Sequence, residues 1–201
     1  MLRVAMFLLI SILCSPCFGD EQYNRLKDFG GWLDQDHNCR NTREEVLIRD
    51  SLIPVTYTDA KNCHVATGLW VCPYTGHIFT TPKDMDIDHM VPLGEAYVSG
   101  ADKWTQQQRI DYANNLKQKY HLVAVDKSAN RSKNDSDPRI WMPPNIAYWK
   151  TYLDSWVAVK KQWGLSIDQS EQFMIDANYK TYDLYQKGVL IQPPINACMI
   201  R

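Results

Sequence analysis

Asp86-Ile87-Asp88-His89-Met90-Val91-Pro92 and His121-Leu122-Val123-Ala124-Val125-Asp126-Lys127-Ser128-Ala129-Asn130-Arg131-Ser132-Lys133 are the two stretches whose reading decides the fold. The first has strand character and is stopped by Pro92 and Gly94. The second opens with a compact apolar run, 121–125, and turns polar from Lys127 to Asn134, as a short exposed helix does. A strand ending at His89, a strand returning through 121–125 and a helix starting near Ser128 make a ββα unit. Asn130, on the first turn of that helix, then faces the end of the first strand. Asp88 and His89 are neighbours, so a straight strand sends them to opposite faces. A site shared by both predicts a bend in the chain at that point.

The flanking sequence reads as short strands before this unit and helices after it. Thr42-x-x-Glu45 has the form of a capping box opening a helix through Val46, Leu47 and Ile48. Residues 55–80 are rich in Val, Ile, Thr and aromatics, and Gly68 and Pro73-Tyr74-Thr75-Gly76 break them into short strands. A polar, partly helical connection fills 95–120. Pro143-Pro144-Asn145 stops one element and caps another, whose Tyr148, Trp149, Tyr152, Leu153, Trp156, Val159 and Trp163 recur at helical spacing before Gly164. At that spacing the tryptophans, Trp141 included, read as core rather than as base-stacking groups. Ser166-x-x-Gln169 opens a last helix towards Gly188. The class is α+β.

Asp88, His89 and Asn130 together hold the inventory for phosphodiester chemistry. That reaction needs a base for water, a hard cation on the phosphate and stabilisation of the leaving oxygen. A histidine titrates near neutrality, and carboxylate and amide oxygens suit Mg²⁺, which takes few protein ligands. Asp84, Asp86, Asp88 and Glu95 also fall on calcium-loop positions, but His89 stands where that loop needs glycine, and Pro92 lies inside it. Asp86 is accordingly read as a supporting or surface carboxylate. Glu95 can support the site or begin a solvated helix. Arg43 and Arg49 can approach phosphate or pair with Asp50 or Glu45.

In its order of Asp-His, apolar strand and Asn-Arg-x-Lys, the chain resembles the HNH (His-Me finger) nucleases. It is more closely similar to small secreted bacterial proteins related to the HNH domain of GmrSD-type restriction enzymes. Asn41-Thr42-Arg43, Arg49-Asp50, Tyr74-Thr75-Gly76, Asp88-His89, Gly100-Ala101 with Trp104, Ala129-Asn130-Arg131 and Trp141-x-Pro143-Pro144-Asn145 carry the likeness. The resemblance implies that Asp88 and Asn130 hold one divalent ion, Mg²⁺ or Mn²⁺, and that His89 is the general base. It also implies phosphate contacts from Arg131 and Lys133. One position departs: the middle residue of the pattern, usually Asn, is His121, which can brace the catalytic histidine or bind metal. Asn114 or Asn115 can brace it instead.

Charge and cysteines set the boundaries. With 22 Lys and Arg against 23 Asp and Glu, the net charge is −1. The strongly basic balance common among nucleic-acid binders is missing, so a polyanion site has to be a local patch. Arg3, the apolar run 4–13 and Cys17-Phe18-Gly19 form a secretory signal over residues 1–19, too short to span a membrane. One domain follows at 20–201. Of six cysteines, Cys39, Cys63, Cys72 and Cys198 remain after the signal. Four cysteines allow three connectivities. The expected one is Cys63–Cys72, closing a hairpin, with Cys39–Cys198 joining the ends. The resulting expectation is a secreted or periplasmic endonuclease acting on DNA, or also RNA, with little sequence specificity. An inhibitor protein is a candidate partner. The competing reading is an inactive, disulfide-stabilised binding module on the same scaffold.

Overall fold

The computed structural model of the chain describes residues 22–189; the expected signal at 1–19 and Cys198 lie outside them. A short helix α1 (Arg25–Phe29) precedes α2 (Thr42–Asp50). Two hairpins follow, β1 (Thr56–Tyr57) with β2 (Val65–Thr67) and β3 (Trp70–Val71) with β4 (Ile78–Phe79). Next, β5 (Met85–His89) leads to α3 (Leu93–Val98) and α4 (Gln106–Ala113). The chain returns as β6 (Leu122–Asp126), which runs directly into α5 (Lys127–Lys133). Helices α6 (Trp149–Trp163) and α7 (Gln169–Gln186) complete the described chain. Among the described residues the strands form three separate two-stranded antiparallel sheets. The class is α+β, and β5, β6 and α5 form a strand–strand–helix unit.

The pairing of β5 with β6 is regular from Met85 opposite Asp126 to His89 opposite Leu122. Met90 extends it by donating to the carbonyl of His121 at 2.9 Å. The expected bend between Asp88 and His89 is therefore absent. Asp88 and His89 line one cavity all the same, and among the described residues β5 pairs with β6 alone. Side chains from both faces can reach round its free edge.

Two apolar clusters hold this ribbon. Met85 and Ile87 of β5 pack with Leu122 and Ala124 of β6 beneath Val46 and Leu47 of α2 and Trp70. The larger cluster is aromatic and includes Tyr74, Trp141, Trp149, Tyr152 and Trp156. Of the tryptophans read as core, Trp141, Trp149 and Trp156 are buried in it, and Trp163 is half-buried against its edge. Two helix starts differ from expectation. Asn41, not Thr42, caps α2, and the buried Thr42 hydroxyl donates instead to Asn114 Oδ1 at 2.7 Å. Asp168, not Ser166, caps α7. Gly164 ends α6 with φ 65°, as its position predicts.

The expected cysteine pairing is corrected. Cys39 is bonded to Cys63, and Cys72 is a buried free thiol whose Sγ accepts from the Asp126 amide at 3.1 Å. The reason lies in the strands. Cys63 belongs to the β1–β2 connection and Cys72 to the β3–β4 connection, so no single hairpin spans them. Glu95 neither supports the candidate site nor meets solvent as a free helix start. Its carboxylate and that of Glu171 each take a 2.7 Å bond from the fully buried Lys160 ammonium, tying α3, α6 and α7 together.

Candidate active site

The free edge of β5 faces the start of α3 and the side of α5 across a cavity of about 350 Å³. Asp86, Asp88, His89, Asn130 and Arg131 all lie on its wall, together with Arg25 from α1. A second cavity of about 260 Å³, bounded by Trp32, Gly31 and Ala113, adjoins the first at His89 and Arg25. Close packing at the cavity rim depends on Gly94. A Cβ there would sit 2.6 Å from the Asp135 carboxyl carbon, and the Gly94 amide donates to Asp135 Oδ1 at 3.2 Å.

Asp88 is buried, and only one of its oxygens is used by the protein. Oδ2 accepts from the Tyr74 hydroxyl and, at 2.7 Å, from Lys133 Nζ. Among the described residues Oδ1 has no partner. Burial raises the Asp88 pKa and lowers that of Lys133, and each is the chief influence opposing the other's shift. Asn130 Nδ2 makes a long contact, 3.4 Å, to Asp86 Oδ2, and among the described residues its side-chain Oδ1 has no partner. Asp86, Asp88 and Asn130 thus present spare oxygens to one cavity. Among the described residues, no group of three or more His, Cys, Asp and Glu side chains is placed to hold a metal ion. An open set of two carboxylates and one amide suits a hard cation that keeps most of its own water.

His89 reaches the cavity from the other face of β5. Its Nε2 lies 2.9 Å from the Ala113 carbonyl oxygen. A carbonyl can only accept, so Nε2 carries the proton and Nδ1 holds the lone pair. Among the described residues Nδ1 has no hydrogen-bond partner, and it is not among the fully occluded unpaired atoms. Trp32 stacks on the imidazole at 5.2 Å between centroids and 9° between planes. Burial, and then the positive charge available to His121, push the His89 pKa well below 6.5, so the ring is neutral at neutral pH.

The structure relocates several residues read from sequence. Lys133 is corrected from a phosphate contact to an internal counter-ion: it is fully buried against Asp88 and the His89 carbonyl, 2.8 Å away. Arg131 is exposed on the cavity wall. His121 lines neither cavity. Its Nε2 donates to the Tyr112 carbonyl at 2.8 Å, one residue before the carbonyl that holds His89, so both imidazoles sit on the buried carbonyls that end α4. Asn114 acts on the site through Trp32, because its side chain bonds the Gly31 carbonyl and the Leu33 amide. Arg49 pairs with Asp50, and Arg43 donates to the Pro82 and Met85 carbonyls. Tyr74, Trp32 and Arg25 were not assigned site roles from sequence. Only Tyr74 left a trace there, inside Tyr74-Thr75-Gly76.

Burial lowers the His121 pKa to about 4. Above about pH 6.5 the folded and unfolded chains both hold it neutral, and its full contribution to stability is present. As pH falls from 6.5 through 4 the unfolded chain takes the proton first, and stability is lost, by about 3 kcal/mol in all. Urea unfolding at pH 7 and pH 4.5 is expected to show a smaller acid loss for His121→Asn than for the unaltered protein. An equal loss in both would remove His121 as its source.

A family profile described as "GmrSD restriction endonucleases, C-terminal domain" matches residues 41–176. An "Uncharacterized secreted protein" of Arthroderma benhamiae is 37% identical over 177 residues, covering 88% of this chain and 84% of that protein. No solved structure matches.

Proposed function

Because the chain belongs to the family of GmrSD restriction endonuclease C-terminal domains, we propose that it is an exported, metal-dependent HNH endonuclease that hydrolyses phosphodiester bonds in DNA. The observation that carries this reading is the His89 imidazole. Its Nε2 is pinned to a main-chain carbonyl, its ring is stacked on Trp32, its Nδ1 has no hydrogen-bond partner among the described residues, and it lines the same cavity as Asp88. That is how a general base has to be held: one nitrogen fixed, the other turned to substrate, and the ring neutral at working pH.

In this reading Nδ1 of His89 takes a proton from the attacking water. Asp88, with Asp86 and Asn130 beside it, would hold one divalent cation, Mg²⁺ or Mn²⁺. Such a cation supplies Lewis-acid stabilisation of the phosphate and of the leaving 3′-oxygen. Lys133 and Tyr74 keep the Asp88 carboxylate in one orientation, and Arg131 contacts a phosphate from the surface of α5. Export is supported by the relative being described as a secreted protein, and among the described residues no helix is long and apolar enough to cross a membrane. Net charge near zero predicts modest, salt-sensitive affinity.

The direct test incubates the oxidised protein with supercoiled plasmid in Mg²⁺, Mn²⁺ or EDTA. Nicking or linearisation that requires metal is the expected outcome. Absence of cleavage of plasmid, single-stranded DNA and RNA with every metal would leave a nuclease-like scaffold serving as a binding module.

A further inference from the structure

We infer that Arg25, which lies outside the family-matched residues 41–176, is a substrate-binding residue of this site, taking a phosphate of the DNA strand opposite Arg131. The inference rests on the nuclease reading above and extends it to a segment that the family match does not cover.

The cavity beside β5 has two cations on its wall, Arg131 from α5 and Arg25 from α1. Lys133, which the sequence pattern offered for phosphate, is spent on Asp88. A polyanion entering a cavity that also carries Asp86, Asp88 and Asp135 needs positive charge at its rim, and the overall net charge of −1 supplies none diffusely. Arg25 alone borders both cavities that meet at His89 without belonging to the strand or to α3. Its side chain is exposed, and among the described residues no hydrogen bond or salt bridge holds its guanidinium. A planar fork of donors left unengaged in that place matches the geometry of a phosphate.

The backbone beneath Arg25 is anchored, which separates it from a chance surface arginine. Phe29 is buried in the main core, and the Asn24 side chain caps the helix at the Lys27 amide. Arg109 Nε and Gln106 Nε2, both from α4, donate to the Asp28 and Lys27 carbonyls at 3.2 and 3.1 Å. The same segment continues through Gly31, tied to Asn114, to Trp32 on the His89 ring. Helix α4 therefore sets α1, Trp32 and, through its Ala113 carbonyl, His89 relative to one another.

The test compares Arg25→Gln, Arg25→Lys and, as an equal charge change on the exposed face of α7, Lys180→Gln. Each is made in the His89→Ala background, and binding of a short DNA duplex is followed by fluorescence anisotropy across a salt series with Mg²⁺. Arg25→Gln is expected to raise Kd by about tenfold and to reduce the slope of log K against log salt by about one. Arg25→Lys should keep the slope while losing part of the affinity, Lys180→Gln should track the parent, and Tm should be unchanged throughout. If Arg25→Gln and Lys180→Gln give the same Kd and slope while the unaltered protein cleaves DNA, the assignment of Arg25 is wrong and the nuclease reading stands. If the unaltered protein neither binds nor cleaves DNA, the nuclease reading fails and the assignment falls with it.

Discussion

Replacement of His89 by alanine is expected to lower the metal-dependent cleavage rate by about 10²- to 10⁴-fold, the range that a positioned general base contributes. The loss should fall on kcat, because the residues proposed to hold cation and phosphate are untouched. Affinity for duplex DNA in Mg²⁺ should change little. Geometry makes a second readout available. The ring lies between two open cavities, stacked on Trp32. Its removal leaves an imidazole-shaped space that solvent can reach. Added imidazole is therefore expected to restore part of the lost rate to His89→Ala and to leave Asp88→Ala unaffected. The pH profile gives the sign of the base directly. The reactive form is neutral imidazole, and burial holds its pKa well below 6.5, so the acid limb of the rate should lie below that value. A His89→Ala protein that cleaves at the original rate would remove His89 as base. If it also bound no DNA, the residue would be structural.

Much of this site could be read in the sequence, because the two decisive stretches announce themselves locally. Strand length, stop residues and the change from apolar to polar at Lys127 are properties of neighbours, and local patterns survive folding. The positions of Asp88, His89, Asn130 and Arg131 on one cavity follow from that reading. What the sequence hid was set by contacts far apart along the chain. Trp32 meets His89 only because Asn114 fixes residues 31 and 33 to the end of α4. Tyr74 meets Asp88 because the β3–β4 turn packs under the β5 strand through the aromatic core. The expected bend at His89 came from the alternation of neighbouring side chains along a straight strand, whereas β5 stays regularly paired through His89 while both side chains still line the cavity. The cysteine pairing failed for a related reason: proximity in sequence between Cys63 and Cys72 says nothing once each belongs to a different hairpin. Lys133 was misread because a lysine near the end of an exposed helix is ordinarily solvated, and only the depth of Asp88 draws it inward.

That burial makes Lys133 the source of the largest stability effect at the site. Lys133→Met keeps the unbranched apolar stem and removes the charged end, leaving Asp88 buried with the Tyr74 hydroxyl as its remaining partner among the described residues. Breaking a buried ion pair from one side costs about 3–5 kcal/mol. In a domain of this size each kcal/mol lowers Tm by about 2–4 °C, so a fall of roughly 10 °C is expected. The double replacement Asp88→Asn with Lys133→Met removes the stranded charge and should recover most of that loss, a coupling that a double-mutant cycle reads out. A divalent cation held at Asp88 would supply positive charge in place of the ammonium, so Mn²⁺ should raise the Tm of Lys133→Met by more than it raises that of the parent. A surface phosphate ligand behaves in the opposite way. Its replacement would leave Tm unchanged, show no coupling to Asp88, and lower the salt dependence of DNA binding by about one charge. Lys133 donates at 2.7 Å to Asp88 and at 2.8 Å to the carbonyl of His89. The variant is therefore expected to lose kcat as well as stability, because one ammonium holds both the carboxylate and the backbone of the base in place.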